Sequence, residues 1–227
     1  MTAAQAPRLS WRIVPLRRVV AWAVVVAGVA YSSWVLEYFL HTGLDPRTTF
    51  LSELDAAGQR FRDVFSIADT ITGLLAVVAG VTALLGLPRR RLTTVGWCAF
   101  VVFGVATIAD AHLPIGCVPT PSHPCSSEPS GLFPQLHHIH ALTSTVAVNA
   151  IFVAMIAFTW AAFRYAKPSG RVLGTALFAL VCAATAWLMI ADNLPGEYYL
   201  GIAQRVQVGG ISAWLIVLGA TVLSESR

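Results

Sequence analysis

The sequence predicts an all-α protein, a polytopic membrane helical bundle with six transmembrane helices. Of its 227 residues, 56% are hydrophobic and 11% are charged, whereas soluble domains carry about 25% charged residues. Six apolar runs each reach the roughly 20 residues that a spanning helix needs. Lys and Arg are concentrated in alternate connections between these runs, which is typical of chains that cross a bilayer several times.

The six predicted spans cover the chain and leave no room for a separate soluble domain, so residues 1–227 are expected to form one transmembrane domain. Each span must be helical, because the bilayer core holds no water to satisfy open backbone groups. The spans are expected at about 19–40, 67–87, 93–113, 139–163, 172–193 and 200–223. The connections at one end of the bundle are then 41–66, 114–138 and 194–199.

Basic residues predict the orientation. Eleven of the 15 Lys and Arg residues fall at one end, in the N-terminal segment, two connections and the C-terminal tail. Because an excess of Lys and Arg marks the cytoplasmic side, we expect a multi-pass protein of the cell membrane with both termini in the cytoplasm. The net charge of +4 is then explained by contact with anionic lipid head groups, and nucleic acid is not expected as a partner.

Ionisable residues predict where any chemistry occurs, because all six histidines and every acidic residue except Glu225 fall at the predicted outer end. Asp110 and Asp192 close predicted helices, where the helix dipole disfavours an anion, so each needs a partner. Arg205, His112 and the histidines at 137–140 are the candidate partners, and Arg205 could form a salt bridge with either carboxylate. Alternatively, Arg205 and Asp69 bind a substrate. The candidate catalytic residues are Asp110, His137, His138, His140, Ser144 and Asp192.

The histidines at the start of the fourth span support two kinds of chemistry. At helical spacing, His137, His140 and Ser144 share one face. His137 and His140 with Asp110 form a candidate metal site for zinc or another divalent ion. The same groups form a candidate general acid/base system. The alternative is that these imidazoles only face water and head groups at the membrane interface.

Two cysteines, Cys117 and Cys125, lie in the connection between the third and fourth spans, on the side that we expect to be oxidising. We therefore predict a disulfide bond between them, which would tie this loop over the mouth of the bundle. Cys98 and Cys182 fall inside apolar runs and are expected to be small core residues.

The first outer connection is expected to contain a short amphipathic helix lying in the interface. Thr48 or Thr49 is its predicted cap, and Gly58 its predicted end. Farther along, Ser66 and Asp69 fit the Ser-x-x-acid pattern that caps a helix. This pattern gives Asp69 a structural alternative to substrate binding.

Four stretches carry a family resemblance: Ser52-Glu-Leu-Asp-Ala-Ala-Gly-Gln59 leading to Phe65 and Asp69, Asp110 with the two loop cysteines, His-x-His-Ala-x-x-Ser over 138–144, and Gln204-Arg205. With these, nearly the whole chain resembles the actinobacterial branch of the domain-of-unknown-function 998 family. The family's Gly-Ala after Glu-Leu is replaced here by Asp-Ala-Ala. The resemblance implies a six-span membrane protein and no particular activity.

Together these patterns favour a non-catalytic membrane component, such as a sensor, a partner subunit or an envelope-organising protein, with an Asp/His/Arg cluster under a disulfide-tied loop. One alternative is a metal- or His/Asp-dependent hydrolase or transferase that acts on a lipid or envelope precursor at the outer leaflet. A small-molecule transporter is a further alternative, ranked lower because polarity near the middle of the membrane is expected to be limited to Ser and Thr residues and Asn149. The bilayer is the expected partner, and any cofactor other than zinc or a similar metal is unknown.

Overall fold

Six long α-helices make up the computed structural model, which describes residues 10–116, 118, 139–165 and 171–224, with side chains from residue 14 onward. The helices are α1 (Ser10–Ala30), α2 (Arg62–Gly86), α3 (Arg91–His112), α4 (Ile139–Tyr165), α5 (Arg171–Ala191) and α6 (Leu200–Ser224). A 3₁₀ helix, Ser33–Tyr38, extends the first span, which runs over Val14–Tyr38. All six are long and apolar enough to cross a membrane, and the described residues contain no strand. The all-helical, six-helix prediction is confirmed.

The helices follow one another around the bundle in the order α4, α3, α2, α1, α6 and α5, each packing extensively against the next. The first and last helices, α1 and α6, are therefore neighbours. Contact between α4 and α5 is much sparser, although the two are consecutive in the chain. The bundle thus resembles a ring with one weak seam, and α5 is the least covered of the six spans.

Large side chains from several helices fill the core. The biggest fully buried side chains include Phe100 and Phe103 on α3, Met155 on α4 and Leu215 on α6. Phe158 on α4 packs against Trp97 on α3, with ring centroids 4.7 Å apart, and against Trp214 on α6 at 6.1 Å. Alanines occupy much of the remaining core, and such small residues let membrane helices approach closely.

Glycines set the closest helix crossings. A Cβ added to Gly104 on α3 would lie 2.5 Å from the carbonyl oxygen of Gly73 on α2. A Cβ on Gly219 of α6 would lie 2.6 Å from the carbonyl oxygen of Ala21 on α1. The α2–α3 and α1–α6 pairs therefore pack backbone against backbone, so they tolerate no side chain at these positions without separating.

The first connection differs from its prediction. It contains one turn of 3₁₀ helix, Leu51–Glu53, instead of an amphipathic helix. The reason is that its amide groups bond to other segments: the Leu51 N–H donates to the side chain of Gln204, and the Ala57 N–H donates to the Ile115 carbonyl. Leu54 and Ala56 are buried rather than lying on the surface.

Two smaller predictions are also wrong. Helix α2 begins at Arg62, so Ser66 and Asp69 lie inside the helix and do not cap it. The Ser66 hydroxyl donates instead to the Ala111 carbonyl of α3, at 3.0 Å. Cys98 is exposed on the outer surface of α3 instead of lying in the core, because in a membrane protein the lipid-facing surface is as apolar as the interior.

We predict that Gly104→Ala destabilises the protein by about 1–3 kcal/mol, since the new methyl group overlaps the Gly73 carbonyl and forces α2 and α3 apart. Thermal unfolding in detergent measures the change. Gly174→Ala is the matched control, because nothing lies within 4 Å of a Cβ at Gly174 in α5. Equal unfolding temperatures for the two variants would contradict the close crossing.

Candidate functional site

One end of the bundle, here called the acidic end, carries Glu37, Asp55, Asp69 and Asp110. At its centre is Asp110, in the last turn of α3. Its carboxylate accepts hydrogen bonds from the Thr143 hydroxyl, at 2.5 Å, and from the Ser144 hydroxyl, at 2.8 and 2.9 Å to its two oxygens. Because the dipole of α3 disfavours an anion at this position, these two donors from α4 provide the compensation that the carboxylate requires.

His140, in the first turn of α4, lies between Asp110 and Ser144. Its Nδ1 is 2.9 Å from the Leu113 carbonyl oxygen and 3.3 Å from Asp110 Oδ1. Both neighbours are acceptors, so Nδ1 carries a proton. Its Nε2 is 3.4 Å from Ser144 Oγ. Hydroxyl, imidazole and carboxylate are thus linked in the order found in nucleophilic triads.

The Ser144 hydroxyl has one proton and two competing acceptors. The Asp110 oxygens are closer to it, at 2.8 and 2.9 Å, than the His140 nitrogen at 3.4 Å. A charged acceptor also forms the stronger hydrogen bond. In this state the hydroxyl therefore donates to Asp110, and His140 does not activate it.

A loop, residues 47–57, closes the acidic end and is here called the plug loop. Its backbone is held to the start of α6 at three points: the Arg47 carbonyl accepts from the Gly201 N–H, the Thr49 carbonyl from Arg205, and the Leu51 N–H donates to Gln204. A Cβ at Gly201 would lie 2.5 Å from the Thr49 carbonyl oxygen, so only glycine permits this contact.

Arg205 of α6 forms a buried ion pair with Glu37 from the 3₁₀ extension of the first span. Its Nε and Nη2 each lie 2.5 Å from one oxygen of Glu37. Both residues are almost fully enclosed, at 4% and 6% exposure. Arg205 was expected to pair with Asp192 or Asp110; the structure pairs it with Glu37, because α6 packs beside α1 and not beside α3.

Asp55 is inserted into the acidic end by the plug loop. It is 5% exposed, and its Oδ1 has no hydrogen-bond partner. Burial raises the pKa of the Asp55 carboxyl to about 6; the charge of His140 lowers this pKa, that of Asp110 raises it and that of Arg62 lowers it. The neighbouring Asp69 is within electrostatic range of both Asp55 and Asp110.

The structure therefore brings together Asp110, His140 and Ser144, with Asp69 nearby. Asp192 takes no part in this hydrogen-bond network, and it is exposed just beyond the end of α5. Four other predicted residues, His137, His138, Cys117 and Cys125, lie outside the described residues. Their predicted roles, and the predicted disulfide, stay predictions.

No three His, Cys, Asp or Glu residues among the described ones are arranged to hold a metal ion. The predicted metal ligands were His137, His140 and Asp110, and His137 is not described. Of the other two, the Asp110 carboxylate already accepts hydrogen bonds from two hydroxyl groups. His140 Nδ1 contacts the Leu113 carbonyl and Asp110. A zinc site at these residues stays a prediction.

Sequence reasoning missed several residues of the acidic end. Glu37 and Asp55 were counted among the acidic residues of the outer end, but neither was assigned a role. Thr143 could have been found from its position beside Ser144, on the helical turn that follows His140. Outside this end, Gln207 was overlooked as a polar residue within a span; it is buried and donates to the Thr185 hydroxyl of α5, at 2.7 Å.

Fold and site together define a polytopic membrane protein in which a hydrogen-bonded acid/base cluster lies under a docked loop at one end of a helical bundle. The family described as "Protein of unknown function (DUF998)" matches residues 4–221, and the chain belongs to that family. No curated protein and no solved structure matches the chain. The predicted membership of the domain-of-unknown-function 998 family is confirmed, whereas membership of its actinobacterial branch stays a prediction.

We predict that Arg205→Gln costs about 3–5 kcal/mol of stability, because Glu37 is left buried without a counter-charge. The double variant Glu37→Gln/Arg205→Gln should recover much of this loss, since two neutral amides can bond to each other. Unfolding of the purified variants in mixed micelles measures both values.

Arg60→Gln is the control for this pair, since Arg60 is exposed at the same end of the bundle and stacks only over Phe61. It should unfold like the wild type. A double variant that is less stable than Arg205→Gln alone would show that the two residues do not act as a pair.

Proposed function

We propose that this protein is a non-catalytic, proton-responsive component of the cell membrane, whose acidic end faces the cell exterior. The single observation that carries the proposal is Asp55, a buried carboxyl group with an unpartnered oxygen, held in place by a docked loop. A carboxylate without a partner is costly to bury. Protonation of Asp55 therefore stabilises the docked loop, and ionisation favours its release.

The expected pH dependence follows from the raised pKa of Asp55, about 6 against an ordinary value of 3.8. Below about pH 3.8, the Asp55 carboxyl is protonated whether the loop is docked or released, so it does not weaken docking. As pH rises from about 4 to 6, the Asp55 carboxyl ionises only when the loop is released, so docking weakens. Above about 6 the penalty is constant, at roughly 3 kcal/mol for a pKa difference of this size.

Several charged or titratable groups surround Asp55 and shape its response. Asp110 on α3 and His140 on α4 act on it from two sides, and Arg62 acts from the start of α2. Asp69 on α2 adds a further carboxyl group. An ionised Asp55 is repelled by the negative charge of Asp110, so protonation of Asp55 keeps the plug loop docked.

The distribution of arginines supports the proposed orientation. Most basic residues lie at the end opposite the acidic cluster, and the positive-inside rule assigns that end to the cytoplasm. The acidic end then meets the external medium, where acidity varies. We also propose that the protein belongs to the actinobacterial branch of the family and that all six long helices cross the membrane.

We predict that the plug loop is protected at pH 5 and exchanges faster at pH 7, beyond the intrinsic effect of pH on amide exchange. Hydrogen exchange at the Leu51 and Ala57 amides reports docking, because each bonds to a partner outside the loop. Asp55→Asn should stay protected at both pH values, since its amide cannot ionise.

Asp63→Asn is the control for this experiment, because the Asp63 side chain is 87% exposed. It should respond to pH as the wild type does. Equal protection of the wild-type loop at pH 5 and 7 would refute the proton-responsive mechanism.

A second candidate function is a His/Asp-dependent hydrolase or transferase acting on a lipid or envelope precursor. The observation that favours it is the contact chain from Ser144 through His140 to the Leu113 carbonyl and Asp110. Release of the Ser144 hydroxyl from Asp110 would let His140 Nε2 accept its proton and make it a nucleophile. Arg205 is then a candidate for substrate binding only if its pair with Glu37 opens.

We predict that, if this second function holds, a fluorophosphonate probe labels Ser144 in the folded protein and Ser144→Ala abolishes labelling. Thr145→Ala is the control, because Thr145 is exposed on the next position of α4 and should leave labelling unchanged. Mass spectrometry locates the label. An unlabelled Ser144 at every pH between 5 and 8 would eliminate it as a nucleophile.

A further inference from the structure

The weak seam of the bundle forms an open groove between α4 and α5. Six of the residues that line it are Ile156, Trp160 and Phe163 on α4, and Arg171, Val172 and Phe178 on α5. Apart from Arg171, these side chains are apolar. Trp160 and Val172 are 61% and 79% exposed, so the described helices leave the groove uncovered.

The groove extends over most of one leaflet of a bilayer. The lining runs from Phe163 back to Ile156 along α4, and from Arg171 to Ala179 along α5. At 1.5 Å per residue, each wall is about 10–12 Å long. Half of a hydrocarbon core of about 30 Å is about 15 Å. The groove therefore fits a single acyl chain that enters from one surface.

Charge is found at one end of the groove only. Arg171 is the first residue of α5 and lines the groove, and Arg164 lies exposed in the last turn of α4. Within the described ranges, every acidic residue lies at the opposite end of the molecule or in its loops. The mouth of the groove is thus cationic and its interior is mostly apolar, with Thr159 and Thr175 as the polar exceptions. This is complementary to an anionic head group attached to an acyl chain.

We propose that the α4–α5 groove binds one anionic phospholipid, with its phosphate at Arg171, Arg164 as the second cation, and one acyl chain along Phe163 and Trp160. A basic pocket between membrane helices is a known way of holding acidic lipids. A second copy of this chain fits less well, because two copies in one membrane orientation bring their own Arg164 and Arg171 to the same depth, where like charges repel. This proposal does not depend on the proposed proton response.

The test uses the full chain in phosphatidylcholine vesicles that contain a small fraction of lipid brominated on the acyl chains. Bromine quenches nearby tryptophans, and the difference between wild type and Trp160→Phe isolates the signal of Trp160. At equal mole fraction, brominated phosphatidylglycerol should quench Trp160 more strongly than brominated phosphatidylcholine. The difference should correspond to a roughly fivefold higher concentration of phosphatidylglycerol beside Trp160, which is the enrichment that one arginine near the surface provides.

Arg171→Gln should lower the ratio of the two lipids, and the double variant Arg164→Gln/Arg171→Gln should bring it close to one. Arg89→Gln is the matched control, because Arg89 is exposed at the same end but lies between α2 and α3, away from the groove; it should keep the wild-type ratio. Equal quenching of Trp160 by the two lipids, measured as the difference between wild type and Trp160→Phe, would overturn the proposal whatever the arginine variants show. Absence of quenching by both, with cross-linking between copies through α5, would overturn it in favour of a protein occupant.

Discussion

The ion pair between Glu37 and Arg205 is the interaction on which the acidic end depends. It is bidentate and nearly excluded from solvent, and it joins the extension of the first span to the last span. Arg205 also donates to the carbonyls of Thr49 and Gly201, so the same guanidinium group anchors the plug loop. A buried pair of this kind adds less net stability than its geometry suggests, because both charges lose their hydration. Its contribution is to fix which segments meet, and thereby where Asp55 enters the bundle.

The acid/base cluster shows how a membrane protein can hold several carboxyl groups in a small space. Asp110 is compensated by two hydroxyl groups and one imidazole, all from the first two turns of α4. Asp55 has no comparable set of donors, and its Oδ1 is unpartnered. Asp55 is therefore the carboxyl group of this cluster that we propose to exchange a proton. Burial and hydrogen bonding both distinguish the two carboxyl groups: Asp55 is 5% exposed and lacks a donor at Oδ1, whereas the Asp110 side chain is 25% exposed and has several donors.

Hydropathy alone was sufficient for the number and approximate limits of the helices, because lipid permits so few backbone structures. The contact of Asp110 with His140 and Ser144 was also predictable, since the end of one helix and the start of the next lie at the same membrane depth. The Glu37–Arg205 pair was not predictable, because its members are 168 positions apart in the sequence. The packing of α1 beside α6 produces no local sequence pattern that would reveal it. For the same reason the plug loop was misread as an amphipathic helix. Its apolar residues alternate with polar ones in a way that suits an interface, but distant partners on α6 determine its path.

The adjacency of the first and last helices also has a consequence for biosynthesis. A chain is made from its N-terminus, so Glu37 enters the membrane long before Arg205 exists. Until α6 is inserted, Glu37 has no guanidinium partner, and the Thr49 carbonyl and Leu51 amide lack the side chains that later hold them. The acidic end therefore stays open throughout translation and is sealed only when the final span arrives.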